Sequence, residues 1–236
     1  MTTFTWTARG WLPITCVLAG CGWQAPAGEM RTDTHAIELG AETARVDLDM
    51  NAGELLVSGG AASLMEADLA YNVDRWKPVV EHRSTGGRSE IAVSQPEAGG
   101  LALGNATSRW ELRLNDGVPV DVVANLGAGK AEMNLGSLDL RSVEVGIGAG
   151  EVHVDLRGMP AHSYDVRISG GVGEAVVYVP TTVGISATAR GGIGSIDVEG
   201  LERRGEHWIN PAREGDPVLI TVDVQGGIGE IRLIAR

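Results

Sequence analysis

The stretch G-I-G-A-G-E-V-H-V-D-L at residues 146–156 is one of six related phrases that decide the fold. From Gly129 to Gly194 the last glycines of successive phrases are 21, 23 and 21 residues apart, and the step to Gly229 is 35. A fixed period of about 20 residues is the sequence signature of a solenoid. The other copies are N-A-G-E-L-L-V (51–57), L-G-A-G-K-A-E-M-N-L (126–135), G-G-V-G-E-A-V-V-Y-V (170–179), G-G-I-G-S-I-D-V-E (191–199) and G-G-I-G-E-I-R-L-I (226–234).

Each phrase joins two stretches that alternate between apolar and polar residues. After Gly150, Val152 and Val154 share one face, while Glu151 and His153 share the other, which is the period of a half-buried strand. Glycine suits the corner between two strands because it reaches positive φ without a Cβ clash. We therefore predict an all-β fold, a glycine-cornered β-solenoid of the single-stranded β-helix type preceded by a small β unit. Its structural corner residues are Gly53, Gly129, Gly150, Gly173, Gly194 and Gly229.

The N-terminus has the pattern of an export signal. Arg9 precedes a short apolar run that ends in Leu18-Ala19-Gly20-Cys21, a motif that resembles the bacterial lipobox, in which the cysteine is lipidated and becomes the first mature residue. We expect a membrane-anchored lipoprotein of the bacterial cell envelope, on the periplasmic side or at the cell surface. The predicted organisation is a signal peptide (1–20), lipidated Cys21 with a tether (21–40), an N-terminal β unit (41–95), a linker (96–107) and the solenoid repeats (108–236).

The charge of the chain argues against nucleic acid as a partner. The formal net charge is −12, and removing residues 1–20 takes away only Arg9 and makes it −13. An acidic surface repels nucleic acid and anionic lipid, so we expect membrane contact through the N-terminal lipid alone.

The segment 201–217 stretches the repeat between Gly194 and Gly229. It gathers basic and aromatic residues in an acidic, aromatic-poor chain, and insertions in solenoids often lie on the binding face. The alternative is a solvated loop whose tryptophan packs on the core. A third role is a cap over the apolar last phrase, which would leave the protein a monomer. The candidate binding-loop residues are Arg203, Arg204, His207, Trp208 and Arg213.

Familiar catalytic and ligand-binding patterns are missing from the sequence. Gly127-Ala128-Gly129-Lys130 superficially matches a phosphate loop, but a strand pattern follows it where a helix is needed. The histidines at 35, 82, 153, 162 and 207 are scattered, so we predict no metal site and no cofactor. The outward carboxylates recur in nearly every repeat, which indicates a repeat rule rather than an active site. We therefore predict no enzymatic activity, with a polysaccharide-acting enzyme as the weakest alternative.

Three longer stretches carry a resemblance to a known family. They are R-V-D-L-D-M-N-A-G-E-L-L-V-S-G-G-A (45–61), L-M-E-A-D-L-A-Y-N (64–72) and K-P-V-V-E-H-R-S-T-G-G-R-S-E-I-A-V-S-Q-P (77–96). With the glycine repeats behind them, they resemble the toast-rack domain proteins, whose repeat half is similar to LiaF-like cell-wall-active-antibiotics-response domains and to adhesin-like domains. The resemblance implies a non-enzymatic envelope β-solenoid with a part in sensing envelope stress. The LiaF-like relatives have transmembrane helices that this sequence lacks, so we do not expect direct signalling to a cytoplasmic kinase.

These patterns leave three hypotheses for function. The first is a lipid-anchored binding or scaffold module whose partner is an unidentified envelope protein or glycan. The second is an adhesin-like or structural protein that assembles end to end. The third is the polysaccharide-acting enzyme.

Overall fold

The computed structural model describes residues 28–96 and 106–236. The predicted signal peptide, the lipobox at Leu18 to Gly20, Cys21 and most of the predicted linker lie outside these residues. The described residues form strands and two single-turn 3₁₀ helices. The strands are β1 (Arg31–Ile37), β2 (Thr43–Ser58), β3 (Met65–Tyr71), β4 (Val79–Thr85), β5 (Arg88–Ser94), β6 (Ser108–Leu114), β7 (Val120–Asn134), β8 (Leu140–Asp155), β9 (Tyr164–Val179), β10 (Gly184–Glu199), β11 (Glu202–Arg204), β12 (His207–Ile209) and β13 (Leu219–Ala235), and the helices are η1 (Asp74–Trp76) and η2 (Pro211–Arg213).

Six long strands carry the six glycine phrases and stack in parallel. Each has a first arm before its corner glycine and a second arm after it. The stack runs β2-β7-β8-β9-β13-β10, and the corner glycines are in register from coil to coil, for example Gly129 with Gly150 and Gly150 with Gly173. The predicted all-β solenoid is confirmed.

The core is built from the alternate residues of both arms. On β8 the inward side chains of Val145, Val152 and Val154 have no solvent exposure, whereas Glu144 and Glu151 lie at the surface. The same alternation holds on the neighbouring coils, so one hydrophobic core runs the length of the stack. The predicted facing of these strands is confirmed, because period-two patterning has only one way to bury its apolar face.

The order of the coils differs from the order of the chain. β13 lies between β9 and β10, parallel to both, so the last glycine phrase is internal and β10 ends the stack. The expectation that the final phrase forms the open coil is therefore wrong. Inward side chains of β13 such as Ile220, Val222 and Leu233 are at most 1% exposed, and the inner position covers them on both sides.

The N-terminal strands belong to the same sheet as the repeats. β2 is the first coil, with β5 paired to its first arm and β6 to its second. Beyond β6 the sheet continues through β3 to β1. Two predicted boundaries need correction: β1 lies inside the predicted tether 21–40, and β6, at the start of the predicted solenoid 108–236, pairs with the N-terminal strands. The stretch T-D-T-H lies in β1, which pairs along one edge only. Such a short polar strand lacks the apolar alternation by which a strand is predicted from sequence.

Within the described residues, no helix has the length and apolar character needed to cross a membrane.

Candidate functional site

The corner of the stack is lined by two ladders of glycine. The six corner glycines all have φ between 136° and 148°, a range that side chains other than glycine rarely adopt. A Cβ on Gly150 would also collide with the carbonyl oxygen of Gly129 in the next coil. A second ladder two residues earlier repeats the close approach, with Gly148 against the Gly127 carbonyl. These glycines let the coils stack without a gap at the corner.

The corner changes character towards the β10 end of the stack. In β7 and β8 the residue just before the second-ladder glycine is Leu126 or Ile147, and both are buried. The aligned positions in β9, β13 and β10 are Gly170, Gly226 and Gly191. Because three inward side chains are missing, an apolar groove of about 70 Å³ remains inside the corner. It is lined by backbone of both glycine ladders and by side chains that include Ile168, Ala175, Ile196, Ile228 and Ile231.

Exposed branched side chains flank this groove. The position just before the corner glycine is alanine in the first three coils, at Ala52, Ala128 and Ala149. In β9, β13 and β10 it becomes Val172, Ile228 and Ile193, which are 51%, 50% and 70% exposed. Exposed apolar residues that cluster mark an interaction surface more often than scattered ones do. The sequence signal was present in the change from L-G-A-G and I-G-A-G to G-G-V-G and G-G-I-G.

The segment 201–217 folds as a hairpin on the end of the stack. β11 and β12 pair with each other, and β12 adds Ile209 and Trp208 to the edge of β10 opposite Ser186 and Ala187. The half-buried Trp208 packs against the core. The hairpin therefore covers part of the first arm of β10.

The predicted binding-loop cations are engaged within the segment itself. The Arg203 guanidinium lies 5.6 Å from the centre of the Trp208 ring. Arg204 lies 3.6 Å from Glu214, and Arg213, on η2, lies 3.8 Å from Asp216. The structure thus brings Arg203, Arg204, His207 and Trp208 onto one hairpin and places Arg213 on η2, in an arrangement suited to holding the segment down.

The buried side-chain amide of Asn210 fixes the middle of the segment 201–217. Asn210 is 6% exposed, and its Nδ2 donates to the carbonyl oxygens of Thr181 and Val183 at 3.1 and 3.2 Å. His207 Nδ1 also lies 3.2 Å from Ser186 Oγ on β10. These contacts hold the segment against the strand that it covers.

The outward side chains of the first arms form a second surface, the first-arm face. Ser142 Oγ donates to Asp121 at 2.8 Å, and Thr188 Oγ1 donates to Asp223 at 2.8 Å. Short polar side chains that bond to the next coil lose little further freedom when a ligand binds. The face comprises Arg45, Asp47, Asp49, Asp121, Val123, Asn125, Ser142, Glu144, Asp165, Arg167, Ser169, Ser186, Thr188, Arg190, Thr221, Asp223 and Gln225.

Several outward carboxylates of the second arms form ion pairs. Glu174 on β9 pairs with Arg232 on β13. These two strands are two coils apart along the chain but adjacent in the stack. Glu132 accepts a hydrogen bond from Lys130, and this bond lowers the pKa of the glutamate. Among the described residues no three His, Cys, Asp or Glu side chains are grouped so that they could hold a metal ion.

The comparison with family models decides the family. The model for the N-terminal domain of toast_rack, DUF2154, matches residues 26–178, which is well over half of the chain. The chain belongs to the toast-rack family. The resemblance inferred from residues 45–96 is thereby confirmed.

Several solved structures are similar to this toast-rack protein. A candidate cell adhesion protein from Clostridium sporogenes is 29% identical, with a TM-score of 0.86 over 88% of this chain and all (100%) of that one. Candidate adhesins from Bacteroides fragilis and Parabacteroides merdae are each 9% identical, with TM-scores of 0.31 and 0.27 over 88% and 86% of this chain and 98% and 96% of theirs. No curated protein matches the chain.

Proposed function

We propose that this toast-rack protein is a lipid-anchored, non-enzymatic binding module of the bacterial cell envelope, with an adhesin-like role. The observation that supports the proposal is the likeness to the candidate cell adhesion protein, at a TM-score of 0.86 over 88% of this chain. Its anchor would be an acyl group on Cys21, and its localisation the periplasmic side of a membrane or the cell surface. The similarity of the repeats to LiaF-like domains adds a part in the envelope-stress response to the proposal.

The first-arm face is the surface best suited to the binding role. Stacking of coils in register sets its polar groups in rows, one coil apart, along a rigid sheet. Asn125 Nδ2 donates to Asp49 at 3.0 Å, so even exposed members of the rows are held in place. Fixed hydroxyl, amide and carboxylate groups match the hydroxyl-rich surface of a glycan better than an apolar protein surface.

Co-sedimentation with insoluble envelope material tests this proposal. The protein is mixed with purified cell walls and with membrane vesicles, and the bound fraction is measured. Ser169→Arg places a bulky cation on the first-arm face, and Asn134→Arg is the matched control, because both residues are exposed and Asn134 lies on the second arm of β7. We expect binding to walls that Ser169→Arg weakens and Asn134→Arg leaves unchanged.

Two outcomes would count against the proposal. An equal loss of wall binding in both variants would show that the first-arm face is not the binding surface, because a change on the second arm would then have the same effect. The absence of binding to either walls or membranes would contradict the binding role. A polysaccharide-acting enzyme would instead release soluble sugar from the walls during the incubation.

A further inference from the structure

The second arm of β10 is an open strand edge at the end of the stack. β13 pairs with β10 along one side, and on the other side β12 pairs only with Ser186 and Ala187. Among the described residues, no strand pairs with the outer edge of β10 from Thr188 to Glu199. The segment 201–217, which was predicted as a cap, therefore leaves the second arm without a strand on this side. An open edge is a template on which another chain can add a strand.

The two edge strands at the opposite end of the sheet, β1 and β4, carry polar side chains on their inward faces. On β1, Asp33 lies opposite the buried Leu69, and Lys77 Nζ lies 3.3 Å from its carboxylate. On β4, His82 lies opposite the buried Ile91. Residues directly opposite each other share one face of the sheet, so both polar groups lie where a further strand would have to bury them. Inward-pointing charge is one of the devices by which natural proteins block strand edges.

The inward side chains on the second arm of β10 are apolar instead. Ile196 and Val198 are in register with Ile231 and Leu233 of β13, which are at most 3% exposed. Ile196 itself is 41% exposed, because no further coil covers it. The chain thus blocks the sheet at one end and leaves core positions open at the other. Exposed apolar positions that adjoin one another are typical of a surface that a partner covers.

The apolar groove inside the corner adjoins this open edge. Ile193 and Ile196 are both in its lining. A cavity of about 150 Å³ holds a benzene molecule, so this groove of about 70 Å³ has room for roughly one aliphatic side chain. Pockets that bind small molecules have volumes of about 300–1,000 Å³. The size of the groove therefore suits one side chain of a docked protein segment better than a free apolar ligand such as a lipid chain.

The outward side chains along the edge carry negative charge. Asp197 is exposed, and its neighbour in register on β13, Arg232, is paired with Glu174. The side chain of Glu199 is 64% exposed, with Arg236 at 3.4 Å. Opposite charges on neighbouring strands stabilise the pairing, and like charges destabilise it. A strand that adds to this edge should therefore carry basic residues on its outward face and aliphatic residues on its inward face.

We propose that the second arm of β10 binds an extended segment of a partner protein in which aliphatic and basic residues alternate. The segment adds to the sheet as a further strand. Its aliphatic side chains continue the core beyond Ile196 and Val198, one of them enters the groove, and its basic side chains lie beside Asp197 and Glu199. In this mode of binding, backbone hydrogen bonds give affinity and side chains give specificity. The proposal is independent of what the first-arm face binds.

Titration with synthetic peptides tests the chemistry of the occupant. The probes are a labelled heptapeptide of four valines alternating with three lysines, a peptide of the same composition in scrambled order, and an alternating peptide with glutamate in place of lysine. The full chain, purified in a non-ionic detergent, is titrated against each peptide, and binding is measured by fluorescence anisotropy. We expect the alternating lysine peptide to bind about ten times more tightly than the other two.

Charge reversal on the edge tests where the peptide binds. Asp197→Lys should weaken binding of the lysine peptide about fivefold and strengthen binding of the glutamate peptide by a similar factor, because the sign of an exposed charge beside the added strand is reversed. Glu38→Lys is the matched control. Glu38 is also exposed, and it follows β1 at the opposite end of the sheet, so its reversal should change neither affinity.

Methylation of the peptide backbone tests whether the contact is strand pairing. Along an extended peptide, the N–H groups of the lysines point to one edge and those of the valines to the other. Only one of these edges can face β10. Methylating the nitrogens of one set should therefore abolish binding, and methylating the other set should preserve it.

Three results would overturn the proposal. One is a lysine peptide that binds no more tightly than the scrambled or the glutamate peptide. Another is an equal effect of Asp197→Lys and Glu38→Lys, or of the two methylated peptides. The third is a full chain that dimerises and in that state no longer binds the peptide, which would make a second copy the occupant of the edge.

Discussion

A methyl group on Gly150 would fall well inside 3.0 Å of the carbonyl oxygen of Gly129 in the neighbouring coil. A methyl group on Gly173 would collide in the same way with the carbonyl oxygen of Gly150, and the contact repeats along the stack. Each corner glycine is thus required twice, by its own positive φ and by the backbone that lies against it. The corner is the least substitutable part of the repeat.

Replacing Gly150 with alanine should destabilise the protein strongly. The positive φ alone costs on the order of 1–3 kcal/mol for a residue with a Cβ, and the collision with the Gly129 carbonyl adds to it. We expect a loss of about 2 kcal/mol or more in the free energy of unfolding, measured in urea.

Gly170→Ala is the matched control for this substitution. Its added Cβ would enter the groove, with the nearest heavy atom, Ile147 Cγ2, at 3.7 Å. The replacement should leave stability unchanged or raise it by up to about 1 kcal/mol, because alanine reduces the freedom of the unfolded chain. Equal losses for Gly150→Ala and Gly170→Ala would contradict the distinct roles given to these glycines.

Trp208→Ala should lower the stability of the whole protein. Trp208 packs against the core from the hairpin and pairs with Ala187 of β10, so its removal uncovers the first arm. We expect a loss of about 2 kcal/mol, less than for a fully buried tryptophan. Arg213→Ala, at an exposed site on η2, should stay within about 0.5 kcal/mol. Unchanged melting for Trp208→Ala with weaker wall binding would return the hairpin to the role of a binding loop.

The stability of the N-terminal strands should fall in acid through Glu66. Its Oε1 accepts from the backbone N–H of Ala62 at 3.0 Å, and this bond, with a second from Ser63, lowers the pKa of Glu66 below 4.5. A carboxylate with a lowered folded pKa contributes stability above its unfolded pKa and loses it as pH falls through the folded value.

Glu66→Gln removes that contribution. The variant should be less stable than the parent at neutral pH, and the difference should shrink as the pH falls through the lowered pKa of Glu66, as urea unfolding across the range would show. A difference that stays constant down to acid pH would mean that Glu66 acts through packing and not through its charge.

Cys21→Ala should abolish acyl labelling and leave the protein unprocessed or released from the membrane. In the lipobox interpretation the thioether to the lipid forms on the thiol of Cys21, which alanine lacks. Metabolic labelling with a fatty acid, followed by membrane fractionation, measures both effects. Cys16→Ala is the control, because Cys16 lies inside the predicted signal peptide, and its change should leave labelling intact. Acylation of the Cys21→Ala chain as before would disprove the lipobox interpretation.

The sequence predicted the parts of the fold that one repeat determines by itself. Alternation on β8 gave the facing of Val152 and Val154, and the position of Gly150 gave the corner, because both depend on local rules. The place of β13 did not follow, since similar phrases on β9, β10 and β13 can each stack on any other. These three phrases differ in the size of inward residues such as Ile220. That size affects the order of stacking only through contacts between coils, which one repeat does not reveal.

The groove was missed for a different reason. Gly170, Gly191 and Gly226 were interpreted together with the corner glycines, although their positions correspond to Leu126 and Ile147. A glycine at an inward strand position removes core volume, whereas a glycine at the corner permits a bend. Comparison of the phrases column by column would have separated these two uses.

The position of β13 also bears on how the chain reaches its native state. Among the described strands, the one that joins β9 to β10 comes last along the chain, so the facing edges of β9 and β10 stay unpaired until residues 219–235 are in place. A chain cut short after the hairpin would lose the middle of its sheet and not its end. The docking of β13 therefore pairs two strand edges at once, and a chain that lacked it would expose the facing edges of β9 and β10.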